Sequence, residues 1–564
     1  MNKAGFLHIP DSRYCFAISE NEVLLRLRVA KEDRDLAINL VYGNKYTYHQ
    51  DQREVKLILK YIDNLHAYYE VCLKLSDVRL TYVFKIQDGD EEWYYHENGF
   101  SKTYDFSHAF YNCFQLPYIN PIDIHRVVDW ADSAVFYQIF VDRFYRGDAE
   151  KDDTYINMAW TDKPLPKSFA GGDLEGIRQK LHYLKDLGIT TIYLTPIFSS
   201  ISNHKYDIRD YYDVDKQFGS KLSLKKLVED IHSLDMKIIL DAVFNHSSDL
   251  LPEFQDVIKN GKASPYFDWF MIDGDMVDQK AVNYETFAAC SYMPKFNTSN
   301  RDVQDYLLDV TLHWTREFQI DGWRLDVSDE VSHDFWRRFR QAVKVVNPNL
   351  LIIGENWHDA YPYLQGDQYD GIMNYAFTKA CLDYFAKETI SSQEMAERLN
   401  HILMRNTNQV NRMNLNLLDS HDTHRFFTEI GCSTDKLLAA VALLFTYVGI
   451  PCLYYGTEIA MEGGYDPDCR RCFDWDKVTQ DNDLLTLFKK IIRLRQLPAL
   501  QKGDITITSQ GDLLSVRRHT PSQVIELLIN KGQEREIAVG QLVIANGLTD
   551  TNLATHGFLI HHLL

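Results

Sequence analysis

Four short segments set carboxylates, histidines and an arginine where acid–base chemistry would want them: DAVFNH (241–246), GWRLDVSDE (322–330), GENW (354–357) and LLDSHD (417–422). In each an apolar run ends in polar side chains: Asp241, Asn245 and His246; Arg324 and Asp326; Glu355; His421 and Asp422. One such Asp is ordinarily a strand cap. Four polar ends together, costly to bury unless paired, point to chemistry. Arg324 and Asp326 are two apart, so on a strand they share one face while Trp323 and Leu325 take the other. A guanidinium beside a carboxylate favours its charged form and lowers its pKa, as an oriented nucleophile needs. Glu355 follows the apolar run LLIIG and stands beside Trp357. Partial desolvation near other carboxylates should raise its pKa and keep it protonated as a general acid. Two carboxyls in opposed environments are what glycosidic bond cleavage uses. A metal hydrolase with Asp and His ligands is the rival reading. It would need a cluster such as H-x-H after the first apolar run, which here ends QIFVDRF.

These segments must be held at one end of a single scaffold. Eight apolar runs alternate with amphipathic helical patterns: AVFYQIF (134–140), TTIYLTP (190–196), KIILDAVF (237–244), GWRLDV (322–327), LLIIGENW (350–357), DGIMNYAF (370–377), MNLNLLDSHD (413–422) and IPCLYYGTE (450–458). The spacing predicts an α/β fold, a closed (β/α)₈ TIM barrel, with the site at the C-terminal ends of its strands. An open doubly wound sheet is the alternative, but it does not require eight strands. Over fifty residues separate His246 from the helix near Arg301, and a loop that long is usually functional. It reads as a small subdomain, 247–300, inserted after strand 3. Residues 1–120 alternate apolar and polar at period two and read as an N-terminal β-sandwich; the barrel takes 121–500, and 501–564 read as a C-terminal all-β domain.

The chain has 564 residues, 45% of them hydrophobic, and a formal net charge of −20. That charge disfavours nucleic acid and anionic membrane as partners. No run is long and apolar enough for a membrane span, and MNKAGFLHIPDSRYCF lacks the apolar core of a signal peptide. Nine cysteines, an odd number, read as reduced thiols in the cytoplasm. Cys469 and Cys472 form an isolated C-x-x-C without the second pair a zinc site needs.

In order and spacing, the four opening segments resemble the signature segments of the α-amylase family of glycoside hydrolases. MPKFN (293–297), SNHKYD (202–207) and YDPDCRR (465–471) resemble its neopullulanase, cyclomaltodextrinase and maltogenic amylase branch. The resemblance implies cleavage of α-1,4-glucosidic bonds in cyclodextrins, pullulan and maltodextrins with retention, and some transglycosylation. It implies attack by Asp326, proton transfer by Glu355, and a grip on the sugar hydroxyls by Asp422. Arg324, His246 and His421 would orient these groups. Tyr206 would stack on the bound glucose, with His204 and Asp207 supporting its loop. Asp466 and Arg470 match the glycone side, Trp357 and Phe287 the acceptor side. Asp241 is expected to hold its strand end. A glucanotransferase on the same scaffold, and a non-catalytic carbohydrate-binding protein, are the alternatives.

The chain departs from the resemblance at two places. Relatives often carry calcium in a pattern like N-x-D-x-x-N-D with a later G-x-D; here the stretches read RGDAEKD (146–152) and AGGD (170–173). Asp148, Asp152 and Asp173 persist, but Arg146 and Lys151 stand where neutral oxygen ligands should be. No cofactor is expected, and a calcium site is expected to be weak or absent. At 424 a His replaces the Glu of D-S-H-D-T-E-R. The N-terminal domain implies, again by resemblance, a homodimer in which it narrows the partner's cleft, with Tyr46, Tyr48, Trp93, Tyr94 and Tyr95 free for a partner or a sugar, or else filling the sandwich.

Overall fold

In the computed structural model, which describes residues 1–478 and 482–563, the eight apolar runs form one parallel sheet. Its strands are β1 (Phe136–Ile139), β2 (Thr191–Leu194), β3 (Lys237–Ala242), β4 (Gly322–Leu325), β5 (Leu351–Gly354), β6 (Gly371–Ile372), β7 (Leu415–Leu417) and β8 (Ile450–Tyr454). Neighbours run β6-β5-β4-β3-β2-β1-β8-β7. Met373, just past β6, bridges Leu415 of β7 in parallel, and the sheet closes into a barrel. Side chains alternate between two separate cores. Phe136, Tyr193, Ile239, Ile353, Leu415 and Ile450 plug the barrel interior. Tyr137, Ile192, Leu240, Trp323, Ile352 and Leu453 pack outward against the helices. Strands buried on both faces read as unbroken apolar runs, so the sequence shows them plainly.

β6 is shorter than the run DGIMNYAF predicts. Asn374 accepts a hydrogen bond from the Phe377 amide and caps a helix, Tyr375–Cys381, so helical backbone begins inside the apolar run. β4 depends on Gly322, where a methyl group would lie 2.5 Å from both the Leu351 carbonyl oxygen and Ile239 Cδ1. The β5 backbone and the Ile239 side chain of β3 leave no room there for a side chain.

After β2 the chain makes a hairpin, Phe198–Ser200 paired with Ile208–Val214, which the apolar pattern did not reveal. Its Ser-rich first arm is only three residues long, below what alternation can signal. The excursion after β3 holds a helix, Pro252–Asn260, and isolated bridges that tie it back, including His246 to Lys295.

The first 120 residues form two facing antiparallel sheets of four and six strands, with Leu25, Leu27, Leu40, Tyr82 and Phe84 between them. The smaller sheet leans on the barrel. Tyr61 and Tyr68 are buried in the barrel's own core cluster. The fully buried Arg26 bonds Glu70 at 2.7 Å and reaches the Asn406 carbonyl at 3.3 Å and Asn408 Oδ1 at 3.2 Å. At the other end a six-stranded sheet, led by Asp504–Gln510, packs on the helices Ser392–Met404 and Thr434–Thr446. Among the described residues no helix is long and apolar enough to cross a membrane.

Candidate active site

The four polar ends meet at one mouth, in a cavity of about 820 Å³ lined by His246, Asp326, Glu355, Trp357, Asp422 and Arg470 among others. Arg324 is its hub. One Nη atom stands 2.7 Å from Asp326 Oδ1 and 3.0 Å from Asp241 Oδ1; the other stands 2.9 Å from Glu355 Oε2. That last approach is an ion pair without hydrogen-bond geometry, since Nη2 has no properly angled acceptor. Asp326 lines the cavity, and its Oδ2 is buried without a hydrogen-bond partner. One oxygen is therefore tied down and the other is left for a ligand.

Glu355 is held from two sides. Its Oε2 accepts the Val327 amide at 3.0 Å, and its Oε1 accepts the Trp357 indole N–H at 3.2 Å. Val327 adopts φ 44°, a left-handed conformation that costs a β-branched residue about 1–3 kcal/mol. This turn, directly after Asp326, is what aims the amide at Glu355. Strain and site coincide here.

The sequence expectation for Asp326 needs correction. Burial pushes its carboxyl well above the usual range, and Arg324 opposes that push without cancelling it. Asp241 is lifted by the same desolvation to about 6, again against Arg324. One guanidinium, shared also with Glu355, does not offset the burial of the two aspartates.

A relay runs across the floor. The Gln138 amide donates to His421 Nδ1 at 2.7 Å, His421 Nε2 meets the Tyr206 hydroxyl at 2.6 Å, and Tyr206 donates to Asp241 Oδ2 at 3.0 Å. Burial holds His421 well below its ordinary pKa, so the ring is neutral, accepting at Nδ1 and donating at Nε2. Tyr206 and His421 are parallel within 4° at 5.5 Å, and His204 stacks on the same tyrosine. Asp207 accepts the hydroxyls of Ser200 and Ser202 and so stiffens the hairpin tip that carries Tyr206. His246, pushed to about 3 by burial, lies flat on Phe287 with Nε2 unpartnered.

At the far rim Arg470 pairs with Asp466 at 2.9 Å and with Asp422 Oδ1 at 3.5 Å; Asp422 Oδ2 lies 3.2 Å from His421. His424 faces Tyr465, with ring centroids 5.6 Å apart. Trp357 is about half exposed and stacks on Tyr375 at 3.6 Å. Every residue the sequence nominated for this site is within or beside the cavity. Missed were Gln138, Tyr193, which donates to Asp241 Oδ2 at 2.9 Å, and Tyr375. Each sits in an apolar run, and a polar side chain there was the available signal.

The segments that resemble a calcium site do not fit a divalent cation. The Lys151 ammonium lies 2.8 Å from Asp173 Oδ2 and donates to the Gly171 and Gln217 carbonyls. Asp173 also accepts the Gly147 and Gly176 amides. Asp148 and Asp152 are occupied in local turns with Glu150 and Thr154. A cation already built into the chain stands at the oxygens a metal would need.

Comparison with known proteins adds two family matches: the alpha amylase catalytic domain over residues 138–496 and the alpha amylase N-terminal ig-like domain over 1–120. A cyclomaltodextrinase from Thermoanaerobacter pseudethanolicus is 41% identical over 95% of this chain and 94% of its own. Neopullulanase 2 of Thermoactinomyces vulgaris is 39% identical over 97% and 94%. A solved cyclomaltodextrinase superposes with a TM-score of 0.92 at 37% identity, covering 99% of each chain.

Proposed function

The chain belongs to the α-amylase family of glycoside hydrolases, and from that membership we propose retaining cleavage of α-1,4-glucosidic bonds in cyclodextrins, pullulan and short maltodextrins. The observation that carries the reading is the asymmetry of Asp326, with Oδ1 fixed by Arg324 and Oδ2 left without a partner in a residue that lines the cleft. Oδ2 attacks the anomeric carbon. Glu355 gives its proton to the leaving oxygen and then takes one from water, which opens the glycosyl ester. Asp422, between His421 and Arg470, grips the sugar hydroxyls, and Tyr206 supports the ring.

The reading is supported by the donors around Glu355, which leave its carboxyl facing the cleft, and by the names of the relatives. The reading assigns no calcium to the segment after β1, where Lys151 stands at Asp173. The nine cysteines are all free, which suits a reducing compartment. The test is a panel of cyclodextrin, pullulan and soluble starch with products identified. Cyclodextrin and pullulan turned over faster than starch is the expected order. Starch preferred over both, or sugar transfer with no hydrolysis, would overturn it.

We also propose a homodimer in which the N-terminal sandwich narrows the partner's cleft. Its support is the exposed rings of Tyr46, Phe110 and Tyr111, the last two packed 4.3 Å apart. Trp93 drops out of that surface: Lys3 sits 3.4 Å over its ring and Lys102 4.9 Å from it. Tyr48 is buried in the sandwich, and Tyr95 stacks on Phe100 against its core.

A further inference from the structure

A second cavity, of about 840 Å³, runs between the sandwich and the barrel. The strands Glu22–Ala30 and His66–Lys74 wall it on one side, the helices Tyr375–Cys381 and Ser392–Met404 on the other. It meets the active-site cleft at Trp357 and His358, which line both. Nothing in the reaction above uses it.

Its charges are unevenly matched. Each carboxylate on its wall is engaged: Asp359 lies 3.7 Å from Arg13, Glu397 pairs with Lys31 at 2.6 Å, and Glu394 closes the capping box of its helix with Ser391. Lys379 and Arg398 both hold Asp383, and His66 and His401 share Asp63 at 3.5 and 3.0 Å. Arg28 and Arg405 are different. Among the described residues neither guanidinium has a carboxylate within 4.0 Å, and Arg28 Nε is buried without a hydrogen-bond partner.

Arg26 shows what completion looks like. It stands two residues before Arg28 on the same strand face, away from the Leu25, Leu27 and Val29 core, and has Glu70 with backbone and side-chain oxygens around it. Arg28 lies on the same strand face, only partly buried, and has no such set. Burial holds His66 below its ordinary pKa, and the nearby Arg28 charge adds to that push while Asp63 opposes it. In a chain of net charge −20, a half-buried pocket with two unpaired arginines selects an anion. A guanidinium recognises phosphate through paired parallel N–H bonds.

We propose that this trench binds a phosphate monoester, its phosphate on Arg28 and Arg405 and its organic part filling the remaining volume. The volume favours a phosphorylated sugar over free phosphate. The bound molecule abuts the acceptor side of the cleft at Trp357.

Calorimetry on the full-length protein at low ionic strength tests it, with glucose 6-phosphate, inorganic phosphate and glucose as probes. The expected result is binding of the sugar phosphate, weakened at least about tenfold in Arg28→Gln and in Arg405→Gln, whose melting is checked against the parent. Inorganic phosphate binding equally well would assign the site to the free anion, with the same two arginines holding it. No binding of either phosphate by the parent protein, unchanged affinity in both variants, or glucose binding as tightly as its phosphate would overturn the proposal.

Discussion

Arg324 is asked to serve Asp241, Asp326 and Glu355 at once, and burial wins against it at both aspartates. The cluster therefore takes up a proton above the ordinary carboxylate range, and attack by Asp326 needs that proton gone. kcat/KM should fall on the acid side with an apparent pKa near the value of about 6 to which Asp241 is lifted, a property of the coupled cluster rather than of one residue. A limb at the ordinary value of about 4 would contradict this. The stability sign is opposite. A carboxyl with a raised folded-state pKa stabilises the fold below its unfolded value and loses that contribution as pH rises through about 6. Asp326→Asn and Glu355→Gln should each lower turnover by about 10³-fold or more while leaving the melting transition cooperative. Near-normal rates in either variant would remove the roles proposed for them.

The loops between elements decide what the barrel can bind. In the segment after β1, Lys151 neutralises Asp173 in a nearly buried pair. Chelation by EDTA should leave rate and melting temperature unchanged, and Lys151→Ala should cost about 1–3 kcal/mol, because Asp173 keeps its amide donors but loses its cation. A loss on EDTA treatment that calcium restores would show the opposite. This position was legible in the sequence because a charge replaced a neutral ligand, and charge is readable without coordinates. The strands were legible for a similar reason: burial on both faces forces unbroken apolar runs. The end of β6 was not, since Asn374 as a helix cap looks like any other polar residue in DGIMNYAF. Nor was the Val327 turn, which only geometry reveals. The proton balance at Asp326 was misjudged because sequence shows the neighbouring Arg324 but not the depth at which both are buried.

At the scale of the whole molecule, the sandwich is joined to the barrel by buried polar bonds as well as packing. Arg26 with Asn406 and Asn408, and Tyr61 and Tyr68 in the barrel core, make the first 120 residues part of one body. Deleting them would uncover those groups and confound any effect on assembly. The dimer is better tested on the intact chain: light scattering should give about twice the 65.9 kDa chain mass, and Tyr46→Glu or Phe110→Glu on the exposed face should shift it toward monomer. A monomer at working concentration would defeat the pairing. So would a dimer indifferent to both substitutions.

The measurement closest to the central claim is the anomeric form of the first sugar released. Attack by Asp326, followed by water arriving from the face the leaving group vacated, gives two inversions and requires the carboxyls of Asp326 and Glu355 to lie only about 5–5.5 Å apart. Proton NMR during the first minutes of cyclodextrin or maltodextrin hydrolysis, before mutarotation, should show the α-anomer in excess. Predominant β-anomer would mean direct displacement by water, and Asp326 would not be the nucleophile.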